Sequence, residues 1–387
     1  MNHPLLALGF RPFYLLAGVF AVVALPVWIA VYLGVLQSGG YLNGVAWHSH
    51  EMVFGFAPAV IAGFLLTAVR NWTGQPALTG VRLAGLAVLW ILARVFVVTG
   101  PGLLAMIVDI AFLPALGIAV GMPIWRSNNA RNYKLLAVLS LLILMNLVYH
   151  LAYSALLPYA FTHIATTAAL DVITILMAVV GGRVIPAFIG NAIQGSQPRQ
   201  LAWLEIGSVG ALVLIFIAGI LDYWFVLPGW AWLTLLVLAV LAQIARWLFW
   251  QPQVTWRNPL LLMLPVAYLW IPLSLAMRAL AILDIVPPVV ALHALTLGAI
   301  SGLMLAMMMR SALGHTGRTL AAGPLEIGAF ILVQLAAITR LSAGFVPSVI
   351  YQDVVVVSGV LWSLAFGVFL IRYAPMLTQV RVDGRPG

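Results

Sequence analysis

The chain has 387 residues, of which 64% are hydrophobic and 7% charged, and its mean hydropathy is +1.12. No water-soluble fold hides that much apolar surface, so the composition predicts an all-α, polytopic membrane protein. The absence of cysteine excludes disulfides, thiolate clusters and covalent c-type haem attachment. The net charge of +9 reads as membrane orientation, not nucleic-acid binding, because of where the basic residues fall.

In chain order, apolar runs predict twelve spans at 12–35, 48–69, 81–99, 102–124, 134–157, 160–190, 201–221, 229–250, 259–283, 288–310, 324–344 and 351–373. Each has the roughly 20 residues that a bilayer requires. The first run carries no evident cleavage site and reads as a span, not a removed signal. Gly and Pro mark connections, as in Thr99-Gly100-Pro101-Gly102 and Pro287-Pro288. The connections are short, so neighbouring helices should pack as antiparallel pairs in one transmembrane domain over 1–387.

Even-numbered connections hold Arg70, Arg82, Arg126, Arg131, Lys134, Arg199, Arg257, Arg310 and Arg318, and the tail holds Arg372, Arg381 and Arg385. Odd-numbered connections lack Lys and Arg and carry or border Asp222, Asp284 and Asp353. The positive-inside rule then predicts that both termini are cytoplasmic.

Histidine recurs at the start of every fourth span, as His50, His163 and His293, and each helix runs on to Arg70, Arg183 or Arg310. The first and third copies share His-x4-Gly, in His50/Gly55 and His293/Gly298. This suggests three four-helix repeats, 1–133, 134–257 and 258–387. By analogy it resembles the pseudo-threefold plan of the haem-copper oxidases, which carry metal-ligating histidines on spans two, six and ten.

Five of the seven histidines, His48, His50, His150, His163 and His293, are expected near one side of the membrane, away from His3 and His315. Imidazole is a good ligand for haem iron and for copper, so these five are the candidate metal and cofactor ligands. His50 and His293 come first, as the pair sharing the glycine context, followed by His163 and His150 and then His48. Residues two apart on a helix diverge, so His48 and His50 should not serve one pocket if both are helical.

Arg94, Arg278 and Arg340 lie within spans, where a lone cation is costly. They are candidates to clamp haem propionates. The alternative is ion pairing, of Arg94 with Asp109, Arg278 with Asp284 and Arg340 with Asp353. Glu51, Asp109 and Asp171 are candidate proton carriers, and Glu51 is also a candidate to orient His50 or His48. Met304, Met307, Met308 and Met309 read as packing, not as copper ligands.

Several blocks together resemble one family. Gly9-Phe10-Arg11-Pro12-Phe13-Tyr14 resembles the Phe-Arg-Pro-Phe signature of the NnrS family. Trp47-His48-Ser49-His50-Glu51-Met52 with Gly55-Phe56 and Asn71-Trp72-Thr73-Gly74 is similar to its second-span block. Gly181-Gly182-Arg183-Val184-Ile185-Pro186-Ala187-Phe188 is similar to its sixth-span block. His293-Ala294-Leu295-Thr296-Leu297-Gly298 and Gly314-His315-Thr316-Gly317-Arg318 are similar to its tenth-span block. One departure is Arg70, which stands where a proline is expected.

The resemblance implies a bacterial inner-membrane protein holding haem, non-covalent and b-type, and copper. It implies a link to nitric oxide in denitrification or nitrosative stress resistance. Such a protein would bind or turn over nitric oxide. If it is an enzyme, it is an oxidoreductase drawing electrons from quinol or a separate donor protein, since no electron-accepting domain is evident. The alternative is a membrane transporter or a haem- or metal-handling protein, with the same histidines as a transient site and Pro58, Pro114, Pro265 and Pro272 as helix breaks.

Overall fold

The computed structural model describes residues 3–37 and 39–385. Among these residues the secondary structure is entirely helical. It contains twelve helices long and apolar enough to cross a membrane. They are α1 (Phe10–Tyr32), α2 (Gly44–Thr73), α3 (Gly80–Thr99), α4 (Gly102–Arg126), α5 (Ala130–Tyr153), α6 (Ala160–Ala192), α7 (Ala202–Phe225), α8 (Gly229–Phe249), α9 (Pro259–Ile282), α10 (Pro288–His315), α11 (Pro324–Ser342) and α12 (Ser348–Thr378). The chain is a multi-pass membrane protein. Every expected span is present, and the largest differences are at the ends of α10 and α12, which run on to His315 and Thr378.

The residues form two compact units. The first comprises Met1–Ala169, Met308–Thr319 and Phe369–Gly387. Within it α1 packs on the latter part of α2, α4 packs on both α3 and α5, and α2 also meets α4. Small residues let the helices approach closely. At Gly63 of α2 a Cβ atom would fall 2.7 Å from the Tyr14 ring of α1, which is the role small residues play between membrane helices. Phe10, Phe13, Tyr14, Leu65 and Phe112 fill the centre of this unit.

The second unit comprises Leu170–Met307 and Leu320–Val368. In it α8 lies between α7 and α9, and α9 and α11 flank the early part of α10. Leu214 and Ile217 of α7 and Val237, Leu238 and Leu241 of α8 are exposed. Apolar side chains in such numbers belong against lipid.

Two helices depart from α geometry at matching places. In α2, residues Glu51–Phe56 form a π-helical segment directly after His50. In α10, residues Ala294–Ser301 form one directly after His293. These are the two His-x4-Gly stretches. His163 has Ala168 at the corresponding place, and α6 is α-helical throughout. In α2, Pro58 contributes to the departure. It has no N–H to give the Phe54 carbonyl, and its ring crowds that carbonyl. The helix closes instead through the Ala57 N–H to the Met52 carbonyl. Side chains then use the widened turns: the Trp90 indole of α3 donates to the Gly55 carbonyl at 3.0 Å, and the hydroxyl of Ser301, within the second segment, donates to the Thr296 carbonyl at 3.0 Å.

Candidate metal centre

The π-turn of α2 opens a buried polar cluster in the first unit. His50 ends the α-helical start of α2 and Glu51 begins the π segment. His50 Nδ1 lies 3.1 Å from Glu51 Oε1. From α3, Arg94 donates through Nη1 to Glu51 Oε1 at 2.8 Å and through Nη2 to Asp109 of α4. From α5, Asn146 and His150 sit one turn apart on one face. Asn146 Nδ2 donates to Asp109 Oδ2 at 3.0 Å, and His150 Nε2 lies 2.8 Å from the same oxygen. His50 Nε2 lies 3.4 Å from that oxygen and 3.3 Å from Asn146 Oδ1. His50, Glu51 and His150 are completely buried.

Gly55 makes the approach of Arg94 possible. A Cβ there would run into the Arg94 guanidinium and come within 3.1 Å of Glu51 Oε2. Tyr41, in the α1–α2 connection, covers the cluster. Its hydroxyl is 3.2 Å from His150 Nδ1 and its ring stacks on that imidazole at 5.6 Å. Burial pushes the Tyr41 phenol above its ordinary range, so it stays a neutral hydroxyl.

Two features make this cluster a candidate metal centre. Each imidazole has a partner at Nδ1, Glu51 for His50 and Tyr41 for His150, while both Nε2 atoms turn toward Asp109. A carboxylate at Nδ1 fixes the tautomer of a metal-ligating histidine, and a hydroxyl there fixes the orientation of the ring. Nitrogen atoms of His50 and His150 and an oxygen of Asp109 lie within 4.8 Å of one another. Two imidazoles and a carboxylate suit divalent iron, copper or zinc.

The second feature is charge. Glu51 and Asp109 bring two carboxylates against one guanidinium. A proton on His50 Nδ1, given to Glu51, leaves the Nε2 lone pair facing oxygens of Asn146 and Asp109. A cation between these atoms answers both the excess of negative charge and the crowding of lone pairs.

The cluster does not fit a haem sandwiched by His50 and His150. The ring centroids are 4.9 Å apart at an interplanar angle of 65°, and both Nε2 atoms approach one oxygen of Asp109. A porphyrin has no room between them, whereas a single ion does.

The other expected residues lie elsewhere. His48 shares the short α-helical start of α2 with His50, and its ring stacks on Trp28 at 4.6 Å, as the divergence of i and i+2 side chains requires. His163 is exposed at the start of α6. The imidazole beside His50 is that of His150, and His293 belongs to the second unit. His293 Nδ1 lies 2.8 Å from the Val289 carbonyl, which fixes the proton there and leaves Nε2 as the electron-pair donor.

Arg94 pairs with Asp109 as expected, and also with Glu51, so its Nη atoms are committed. Arg278 pairs with Asp171 at 2.9 Å across α9 and α6 in place of Asp284, because a buried acid on a facing helix outcompetes one in the next turn of chain. Arg340 stands over the Tyr351 ring at 5.9 Å with a buried Nη1 that has no hydrogen-bond partner. Met304, Met308 and Met309 are buried core side chains.

Asn146 and Tyr41 were not evident from the sequence. The i, i+4 spacing of Asn146 and His150 was a usable signal for the first; nothing local marked the second.

Residues 4–381 match the family described as NnrS protein. The chain belongs to the NnrS family. No curated protein matches it. The cluster of His50, Glu51, Arg94, Asp109, Asn146 and His150 thus lies in an NnrS-family chain matched over nearly its whole length.

Proposed function

We propose that this NnrS-family protein is a membrane metalloprotein of the nitric oxide response. The reading places a non-haem transition metal ion at His50, His150 and Asp109. The observation that carries it is the convergence of two Nδ1-anchored imidazoles on one buried carboxylate oxygen. Copper, which the family resemblance implies, and divalent iron both suit this donor set.

The residues would divide the work. His50 and His150 would donate Nε2 electron pairs, and Asp109 a carboxylate oxygen. Glu51 and Tyr41 would orient the imidazoles. Arg94 would hold Glu51 and Asp109 in place and keep the site from accumulating excess negative charge. When bound, the ion would supply a redox-active or Lewis-acidic centre for nitric oxide. Glu51 and Asp109 would be the groups at hand to hold or move a proton there.

For the haem that the resemblance implies, His293 and Arg340 are the residues that fit. His293 has its Nδ1 anchored and its Nε2 open, and Arg340 has an unmatched buried Nη1 as propionates require. Both residues belong to the second unit. We further assign the protein to the bacterial inner membrane with both termini cytoplasmic, on the bias of Lys and Arg to even-numbered connections.

The test is metal analysis and spectroscopy of detergent-purified protein, with and without nitric oxide, for wild type, His150→Ala and His293→Ala. The expected result is a metal retained through chelator washing, a signal perturbed by nitric oxide, and loss of the non-haem metal in His150→Ala alone. Haem, where present, should be lost in His293→Ala. Folded wild type that retains no metal after washing would overturn the reading in favour of transient metal handling.

A further inference from the structure

Two of the signature blocks take no part in the metal centre, yet they meet. The Phe10 ring, at the start of α1, stands 5.5 Å from the His315 ring at the end of α10. The chain after α12 lies against both. Arg381 Nη1 donates to the His315 carbonyl at 3.0 Å, and the Val382 N–H donates to the Thr316 carbonyl at 3.2 Å. Arg11 Nη1 donates to the carbonyls of Leu377 at 3.0 Å and Gln379 at 2.5 Å. All of these residues belong to the first unit.

Among the described residues, the charges at this junction do not balance. Arg11 is completely buried, and its Nε and Nη2 have no hydrogen-bond partner. Arg318 Nη1 is buried and unmatched in the same way. Arg11 is tied to the Leu377 and Gln379 carbonyls and Arg381 to the His315 carbonyl, and a Cβ at Gly317, the neighbour of Arg318, would fall 2.7 Å from the Asp383 carboxyl, so Arg11, Arg318 and Arg381 share one junction. Among the described residues, the carboxylate at hand is Asp383, which already takes both Nε and Nη2 of Arg381, at 2.9 and 2.6 Å. Its second neighbour is the Arg385 N–H at 3.3 Å.

Burying a guanidinium with unmatched N–H groups is costly, and more so beside like charges. An oxyanion removes both costs, since its oxygens accept from the planar fork and its charge offsets the cluster. The site lies where α1 begins and α10 and α12 end. That is the depth of lipid phosphates, on the side of the arginine-bearing connections.

We infer that Arg11 and Arg318, with Arg381 beside them, form a binding site for a phosphate group. Its source is either the headgroup of an anionic phospholipid or soluble phosphate. The unmatched N–H groups of Arg11 and Arg318 are the donors, and the Phe-Arg-Pro-Phe and Gly-His-Thr-Gly-Arg blocks carry them.

The test uses full-length protein, delipidated in neutral detergent, and follows its thermal unfolding midpoint. Phosphatidylglycerol is titrated against phosphatidylcholine in mixed micelles. Sodium phosphate is titrated against sodium chloride at equal ionic strength. The wild type should show a saturable rise. A rise with phosphatidylglycerol alone identifies a lipid headgroup, and a rise with inorganic phosphate identifies a soluble ion. Arg318→Gln should weaken the apparent affinity about ten-fold while unfolding remains cooperative. Arg11→Lys keeps the charge, loses the fork and should weaken it similarly; where that variant fails to fold, Arg318→Gln decides. No saturable rise with either titrant, or unchanged affinity in Arg318→Gln, would overturn the assignment.

Discussion

Replacing Arg94 with methionine tests the charge argument at the metal centre most directly. The side chain is 8% exposed and contacts both Glu51 and Asp109, so its removal leaves two buried carboxylates without their shared cation. Methionine keeps much of the apolar stem, which confines the change mainly to charge and hydrogen bonding. Removing one partner of a buried ion pair costs about 3–5 kcal/mol, and here one guanidinium serves two acids. Without metal, Arg94→Met should therefore lose about 3–5 kcal/mol in reversible unfolding by sodium dodecyl sulfate in mixed micelles.

A divalent ion at His50, His150 and Asp109 would replace part of the missing charge. Saturating metal should then restore a substantial part of the loss, because ligand that binds only the folded state stabilises it. The same coupling, read in reverse, requires Arg94→Met to hold a divalent ion more tightly than wild type. A loss below about 1 kcal/mol would mean that Arg94 does not balance these carboxylates. An equal loss with and without metal would mean that no ion binds beside them.

Two further changes probe the supporting residues. Tyr41→Phe removes the hydroxyl from His150 Nδ1 but keeps the stacked ring, so unfolding should be little changed while metal affinity falls about 10–100-fold in a competition titration; unchanged affinity would remove Tyr41 from the site. Gly55→Ala drives a methyl group into the Arg94 guanidinium, and the helix should lose about 1–3 kcal/mol together with metal retention, whereas alanine at Gly85, where a Cβ meets nothing within 4 Å, should leave retention unchanged.

Much of this protein was legible because a bilayer makes helix formation a local problem. Lipid offers no partner for backbone N–H and C=O groups, so each apolar run must close its own hydrogen bonds as a helix. Its length follows from membrane thickness. The twelve spans, the pairing of Arg94 with Asp109 across adjacent helices, and the divergence of His48 from His50 all rest on such local geometry. The shared His-x4-Gly pattern also marked real structure, a π-turn after each histidine, although the sequence did not name the distortion.

The partners within the site were decided by tertiary packing. Hydropathy fixes how deep a residue lies along the membrane normal, but not where it lies around the bundle. His50 and His293 share a sequence context and an expected depth, yet the imidazole beside His50 is His150, because α4 carries Asp109 to a place that both α2 and α5 can reach. Arg278 finds Asp171 on α6 and not the nearer Asp284, because the facing helix presents its carboxylate within the packed interior. Tyr41 reaches His150 from a connection with no periodic pattern to read. The blocks around Arg11 and His315 lie far apart in the sequence, and only the folded first unit brings them into contact.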